Sequence, residues 1–261
     1  MKIPDGWKPM PLGTAAQFNP KVKLQKGEQY AFIEMDDANP ADKYIQPKGK
    51  KLYDSSSCSK FRNGDVLFAR ITPCLDNKKI GTADIGEKQV GFGSTEFIVL
   101  RAKEGITTQD YVHYLSKSEY IIQNAINSYV GASGRQRADA NFIKKVIVPL
   151  PEPDEQHRIA SILSAYDDLI AVNRERIALL ERMAEQLYKE WFVRLRFPGH
   201  EDAVMEKGVV KGWEWKKVDE LFKTSSGGTP SRQKESVYFG GKINWIKTGE
   251  LKDSFIRVVL K

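Results

Sequence analysis

Two cysteines, Cys58 and Cys74, are the only thiols in 261 residues, and they form neither a CxxC pair nor a set with nearby histidines. That excludes a disulfide framework and a structural zinc site, and predicts two reduced, buried thiols. Histidine is as scarce: His113, His157 and His200 stand far apart, with no acid or nucleophile at a telling spacing. No segment approaches the ~20 consecutive apolar residues of a membrane span, and "MKIPDGWKPM" lacks the apolar core of a secretory signal. A cytoplasmic protein with no membrane partner is expected. The GxxxxGK phosphate loop, the HExxH zinc helix, the GxSxG elbow and the Asn-Pro-Pro-aromatic run of amino-methyltransferases are all missing. "VGFGSTEF" and "YVGASG" are rich in glycine but lack the strand, GxGxxG and helix order of dinucleotide binding.

What is present is charge, unevenly spread. Lysine and arginine number 41 against 34 aspartates and glutamates, a net +7. Residues 1–150 hold 22 basic and 16 acidic side chains, 154–194 hold 6 and 8, and 195–261 hold 13 and 9. Two basic ends around an acidic middle favour a polyanionic partner without identifying one.

Between Tyr30 and Leu100 short apolar runs, "YAFIEM", "DVLFARI" and "TEFIVLR", alternate with turn signals such as "NP", "RNGD", "DNKK" and "GFGS", which predicts strands. Residues 108–129 switch to helical spacing, with Thr108 as N-cap. "VGASGRQRADANF" then reads as a glycine-rich basic loop and "IKKVIVPL" as a last strand. The fold class is therefore α+β: a mixed, strand-rich globular domain followed by a long coiled-coil-forming helix.

Pro149, Pro151 and Pro153 lack N–H donors and push their predecessors toward extended backbone, so "VPLPEP" predicts a stiff, non-helical hinge. Asp154 is the expected N-cap of the helix that follows, with Glu155 at its positive end. Ile159, Leu163, Tyr166, Ile170, Asn173, Ile177, Leu180, Ala184, Leu187 and Trp191 recur at alternating steps of four and three, a sustained heptad seam. A second stripe through Ile162, Leu169, Val172, Leu179 and Met183 widens the apolar face. Over 154–193 the helix would run ~60 Å, too long to be covered by a core from residues 1–150. Pro198 and Gly199 stop it. A faint repeat sets "GWKPMPLG" at 6–13 against "GWEWKKVD" at 212–219. The domains read as 1–150, a hinge and helix over 151–195, a linker over 196–211, and the start of a second, truncated copy over 212–261.

With catalytic signatures absent, side chains suited to DNA remain. In the loop before the last strand the glycines allow close backbone approach, Arg135 or Arg137 can meet guanine O6 and N7, Gln136 can pair with adenine, and Ser133 adds a hydroxyl. Arg70 and Thr72, Lys78 and Lys79, and Ser94 and Thr95 stand at strand ends or turns, within reach of phosphates or base edges.

The runs "NGDVLFARITPCLDNKKIG" and "GFGSTEFIVLR", the loop and "VPLPEPDEQHRIASILSAYDDLIAVNRERIALLERMAEQLYKEWFV", and "GGTPSRQKESVYFGGKINWIKTGEL" together give a chain that resembles the DNA-specificity subunit of type I restriction-modification systems. The resemblance implies two target-recognition domains alternating with two long helices that pair antiparallel and dock methyltransferase subunits. Catalysis, with S-adenosylmethionine, ATP and Mg2+, would belong to those subunits and to a separate restriction subunit, and this chain would bind no cofactor. Residues 1–150 then correspond to the first recognition domain and double-stranded DNA to the ligand. With most of the second domain and the second helix missing, an antiparallel homodimer through residues 159–191 is expected, Asn173 facing its own counterpart. Two other readings stay open: a nuclease or methyltransferase with its own site, built for instance on Asp154 with Glu214 and Lys216, and a coiled-coil adaptor without DNA binding.

Overall fold

The computed structural model describes residues 4–55, 57–86, 89–132 and 134–228. It divides into two compact units, residues 1–188 and 189–261. The first opens with β1 (Lys8–Pro11), the one-turn helix α1 (Leu12–Ala15) and β2 (Ala16–Phe18). There follow β3 (Gln29–Ile33), β4 (Tyr44–Ile45), β5 (Gly49–Leu52), β6 (Ser59–Arg62), β7 (Val66–Ala69), β8 (Ile80–Ala83), β9 (Val90–Gly93) and β10 (Phe97–Ala102). The unit continues through α2 (Gln109–Lys117), α3 (Glu119–Asn127), the short strands β11 (Tyr129–Val130) and β12 (Arg137–Ala138), α4 (Ala140–Lys145), β13 (Ile147–Leu150) and α5 (Pro153–Tyr188).

Two mixed sheets carry it, ordered β2-β10-β7-β8-β4 and β5-β3-β9-β6. In the first β4 runs parallel to β8, in the second β3 runs parallel to β9, and the other pairs are antiparallel. This is the α+β architecture expected from the strand and helix runs. Strand β7 is buried at every position because the alternation of its side chains serves two cores. Val66 and Phe68 join Leu12, Ile98, Leu100, Ile121 and Val148, while Leu67 and Ala69 join Ile33, Phe61, Phe97 and Val99. The glycines of "VGFG" serve close packing: a Cβ at Gly93 would lie 2.3 Å from the carbonyl oxygen of Ile33, and one at Gly91 2.8 Å from that of Ala31.

Several local expectations are corrected. The helical stretch 108–129 breaks at Ser118, whose hydroxyl accepts from the Ile121 N–H and caps α3. Thr108 occupies the N-cap position of α2 without a side-chain cap bond. "IKKVIVPL" is a strand only from Ile147, because Asp139 accepts from the Asn141 N–H at 2.8 Å and starts α4. The proline run is extended and non-helical only as far as Glu152. Pro149 stands opposite Pro9 where β13 pairs with β1, and Pro153 is the first residue of α5, where a missing N–H costs nothing. The capping position therefore moves from Asp154 to Glu152, whose carbonyl accepts from the N–H groups of Glu155 and Gln156. At the far end α5 stops at Tyr188, and Lys189–Val193 forms a π turn in the second unit, closed by Arg194 N–H donating to Lys189 O. Among the described residues no helix is long and apolar enough to cross a membrane.

The second unit holds a hairpin of β14 (Met205–Glu206) and β15 (Val209–Val210) and the one-turn helix α6 (Val218–Leu221). The faint repeat has a backbone counterpart here. Gly6 and Gly212 take φ of 83° and 90°. The N–H of Trp7 donates to Pro4 and that of Trp213 to Val210, and α1 and α6 begin at the same offset, each closed by a bond from the following residue to its first carbonyl. Residues 229–261 of the expected second domain lie outside the described residues.

His113 is fully buried, its Nδ1 3.0 Å from Thr82 Oγ1. Burial, with Lys117 and Lys43 nearby, pushes its pKa down to about 3. A depressed value in the folded state means a contribution to stability that is complete above the unfolded value near ~6.5 and is lost as pH falls toward the folded one. The urea midpoint of the wild type should therefore decline from about pH 6.5 downward. His113→Gln, with no ring to protonate, should decline less steeply, and parallel curves would contradict the assignment.

Candidate nucleic-acid interface

Strand β7 leaves the first sheet at the end where the antiparallel β10 enters it, and the residues after β7 and before β10 are tied together there. Arg70 N–H donates to Glu96 O at 2.9 Å, and Ala138 N–H donates to Arg70 O at 2.8 Å. Strand β12, which pairs with β11 in a small sheet of its own, is thereby laid alongside residues 70–72. Ile71 and Arg137 face each other in an antiparallel bridge, Thr72 N–H donates to Gln136 O at 2.9 Å, and Gln136 N–H donates to Thr72 Oγ1 at 3.1 Å. Gly134, at φ 83°, supplies the left-handed residue of the turn that feeds β12.

This arrangement gathers Arg70, Thr72, Ser94, Gln136 and Arg137, with Thr95 and Arg135 exposed beside them. Ser94 Oγ accepts from the Glu96 N–H at 3.2 Å. Arg137 is forked onto the Glu96 carboxylate, a partner with no sequence signal of its own. Pleating turns Gln136 to the opposite side from Arg137, so the two do not point into one groove together. The Nε of Arg70 is buried without a hydrogen-bond partner among the described residues. Lys78, at φ 56°, is held by Glu119 at 2.8 Å, and Lys79 by Met35 O at 3.0 Å and Asp36 at 3.3 Å. Ser133 lies outside the described residues. Among those described, no group of three or more His, Cys, Asp or Glu side chains could hold a metal ion.

The long helix is fastened to this domain by a residue whose sequence context gives it no structural role. Gln156 is 0% exposed. Its Oε1 accepts from Thr108 N–H at 3.0 Å, and its Nε2 donates to Ile106 O at 2.9 Å and to Pro151 O at 2.8 Å. Ile159, expected in the pairing seam, packs instead on the first core. Farther along, Lys43 Nζ donates to Ser164 Oγ at 2.7 Å and pairs with Asp110 at 3.0 Å, Tyr114 OH donates to Asp167 at 2.6 Å, and Arg174 binds Asp42 and the Ala41 carbonyl. The clamp thus runs from Gln156 to Arg174 along one polar side. Leu163, Tyr166, Ile170, Asn173, Ile177, Leu180 and Leu187 remain exposed, as does the stripe from Ile162 to Met183. Trp191 belongs to the second unit.

Comparison with known proteins follows the same lines. Residues 4–182 match the family described as the type I restriction modification DNA specificity domain. The type I restriction enzyme MjaIX specificity subunit of Methanocaldococcus jannaschii is 30% identical over 227 residues, 85% of this chain and 48% of the relative. The EcoAI specificity subunit of Escherichia coli is 30% identical over 161 residues, 60% of this chain and 27% of the relative. The chain thus spans half or less of the length of these two relatives. Among solved structures, the HsdS subunit from Thermoanaerobacter tengcongensis aligns with a TM-score of 0.56 at 21% identity, covering 72% of this chain and 49% of that one. A chain from work on complex assembly and conformational transition of the type I R-M system aligns at 0.54 and 20% identity, covering 89% and 59%. The structural likenesses bear on the fold alone, but the sequence match runs from the first described strand through most of α5, so the chain belongs to the type I restriction-modification DNA specificity family.

Proposed function

We propose that the chain reads one half of a bipartite DNA target, has no active site of its own, and docks type I methyltransferase (modification) subunits through its long helix, with the restriction subunit joining through the complex. One observation carries this reading: the clustering of Arg70, Thr72, Ser94, Gln136 and Arg137 at one end of the sheet, on two sides of the chain, beside exposed Arg135 and Thr95. Guanidinium and amide groups suit guanine and adenine edges, and hydroxyls suit phosphates. Lys78 and Lys79, tied to acids, act through phosphate contacts at most. S-adenosylmethionine, ATP and Mg2+ are left to the partner subunits. Mapping the sites methylated by the chain together with its methyltransferase tests this, and a split target with a fixed spacer is expected. Cleavage or methylation by the purified chain alone would overturn it, and so would failure to bind duplex DNA at low salt, where phosphate contacts are strongest.

The exposed seam supports a further part of the reading, antiparallel pairing of α5 with α5 of a second copy, with Asn173 fixing register near the midpoint. Ile170→Asp combined with Ile177→Asp should abolish self-association in sedimentation while shifting the first unit's stability by less than about 1 kcal/mol, since both side chains are exposed. A wild type that stays monomeric across micromolar concentrations, or an Asn173→Cys chain that fails to cross-link, would refute the pairing.

A further inference from the structure

Arg137 is partly exposed, yet it is not free. Its Nε lies 3.0 Å from both carboxylate oxygens of Glu96, and its Nη2 lies 2.6 Å from Oε1. Glu96 is the more buried partner, its side chain 19% exposed against 44% for the arginine. Its backbone is held on both sides, by the N–H bond to Ser94 Oγ and by the carbonyl bond from Arg70 N–H. The guanidinium is therefore gripped along its Nε edge by a fixed carboxylate. Among the described residues nothing engages Nη1, so the Nη1–Nη2 end of the fork stays open. Two coplanar donors at that end match the two acceptors on the major-groove edge of guanine.

We propose that Glu96 is a positioning residue for specificity: it presents Arg137, pre-set in one rotamer, to a single guanine of the DNA target. The inference rests on the reading that this end of the sheet meets DNA. A base edge fits better than a phosphate. The carboxylate cancels the arginine's charge, so the pair gains little from the sugar-phosphate backbone, while the hydrogen-bonding pattern of the open end is untouched. A guanidinium already locked in place also surrenders less rotamer freedom on binding than a free one.

The test selects binding sequences from a pool of duplexes with randomised bases, using the full chain as wild type, Arg137→Ala, Glu96→Ala, Glu96→Gln and the double alanine variant. Arg137→Ala should erase the preference for one G·C pair and leave the others. Glu96→Ala should weaken preference at that same pair roughly tenfold, Glu96→Gln should fall between it and wild type, and the double variant should match Arg137→Ala. A merely structural glutamate would degrade every position together. If Glu96→Ala proves unstable in a melt, Glu96→Gln, which keeps the side-chain shape, decides the matter. Loss of the pair in Arg137→Ala with full retention in both Glu96 variants overturns this proposal alone. A wild type that enriches no sequence overturns the reading of the interface and the proposal with it.

Discussion

Gln156→Leu should cost the first unit about 4 kcal/mol and lower its melting midpoint by about 12 °C, a large effect for one uncharged side chain. Leucine fills much of the same space, so the loss comes from what it abandons: the Thr108 N–H and the carbonyls of Ile106 and Pro151, left without their partner around a fully buried site. Each such group carries its own desolvation cost when orphaned, about 1–3 kcal/mol. Gln156→Glu should be worse, because a carboxylate would face the two carbonyl oxygens that now accept from Nε2. Calorimetry of the three chains checks the order, and a fall below about 1 kcal/mol for leucine would mean that water replaces the amide there.

Asp65→Ala should destabilise the chain by about 3–5 kcal/mol. Asp65 is 1% and Arg101 11% exposed along their side chains, and the pair is bidentate, with both N···O distances 2.6 Å. The aspartate also accepts from Arg62 N–H at 2.8 Å. Alanine leaves the guanidinium buried without its counter-charge, which costs far more than the intact pair contributes. Asp65→Leu with Arg101→Met should recover much of the loss in a urea titration, and additivity of the two single changes would contradict the coupling. The pair closes β7 and β10 at the end opposite Arg70 and Glu96, so slippage there also disturbs the candidate interface.

The strands β7 and β10 could be read from sequence because each is a dense apolar run between turn residues, "RNGD" before one and "GS" before the other. Helix α5 was legible from its heptad. What escaped was long-range. Nothing near Pro149 announces that it pairs with β1, and the cap at Asp139 was hidden inside a stretch that reads as a glycine-rich basic loop. The interface shows the same division. Arg70, Thr72, Gln136 and Arg137 were picked out by chemistry alone, yet the carboxylate that holds Arg137 lies 41 residues away in sequence. Gln156 belongs to the stretch that carries the resemblance, but its structural role was not legible, because a polar residue in the first turn of a helix ordinarily faces water and its burial depends on Thr108 and Ile106 folding back onto it. Composition pointed only to a polyanion, and the family resemblance supplied the rest.

The clamp between Gln156 and Arg174 makes the long helix a lever. From Gln156 to Tyr188 it runs about 48 Å. A tilt of about 4° at its root would swing its far end by about 3.4 Å, the rise of one base pair. If the chain reads half of a bipartite target as proposed, the angular tolerance of that root sets the tolerance of the spacer. Three hydrogen bonds to one buried amide, backed by Lys43, Tyr114 and Asp42 farther along, are what narrow it.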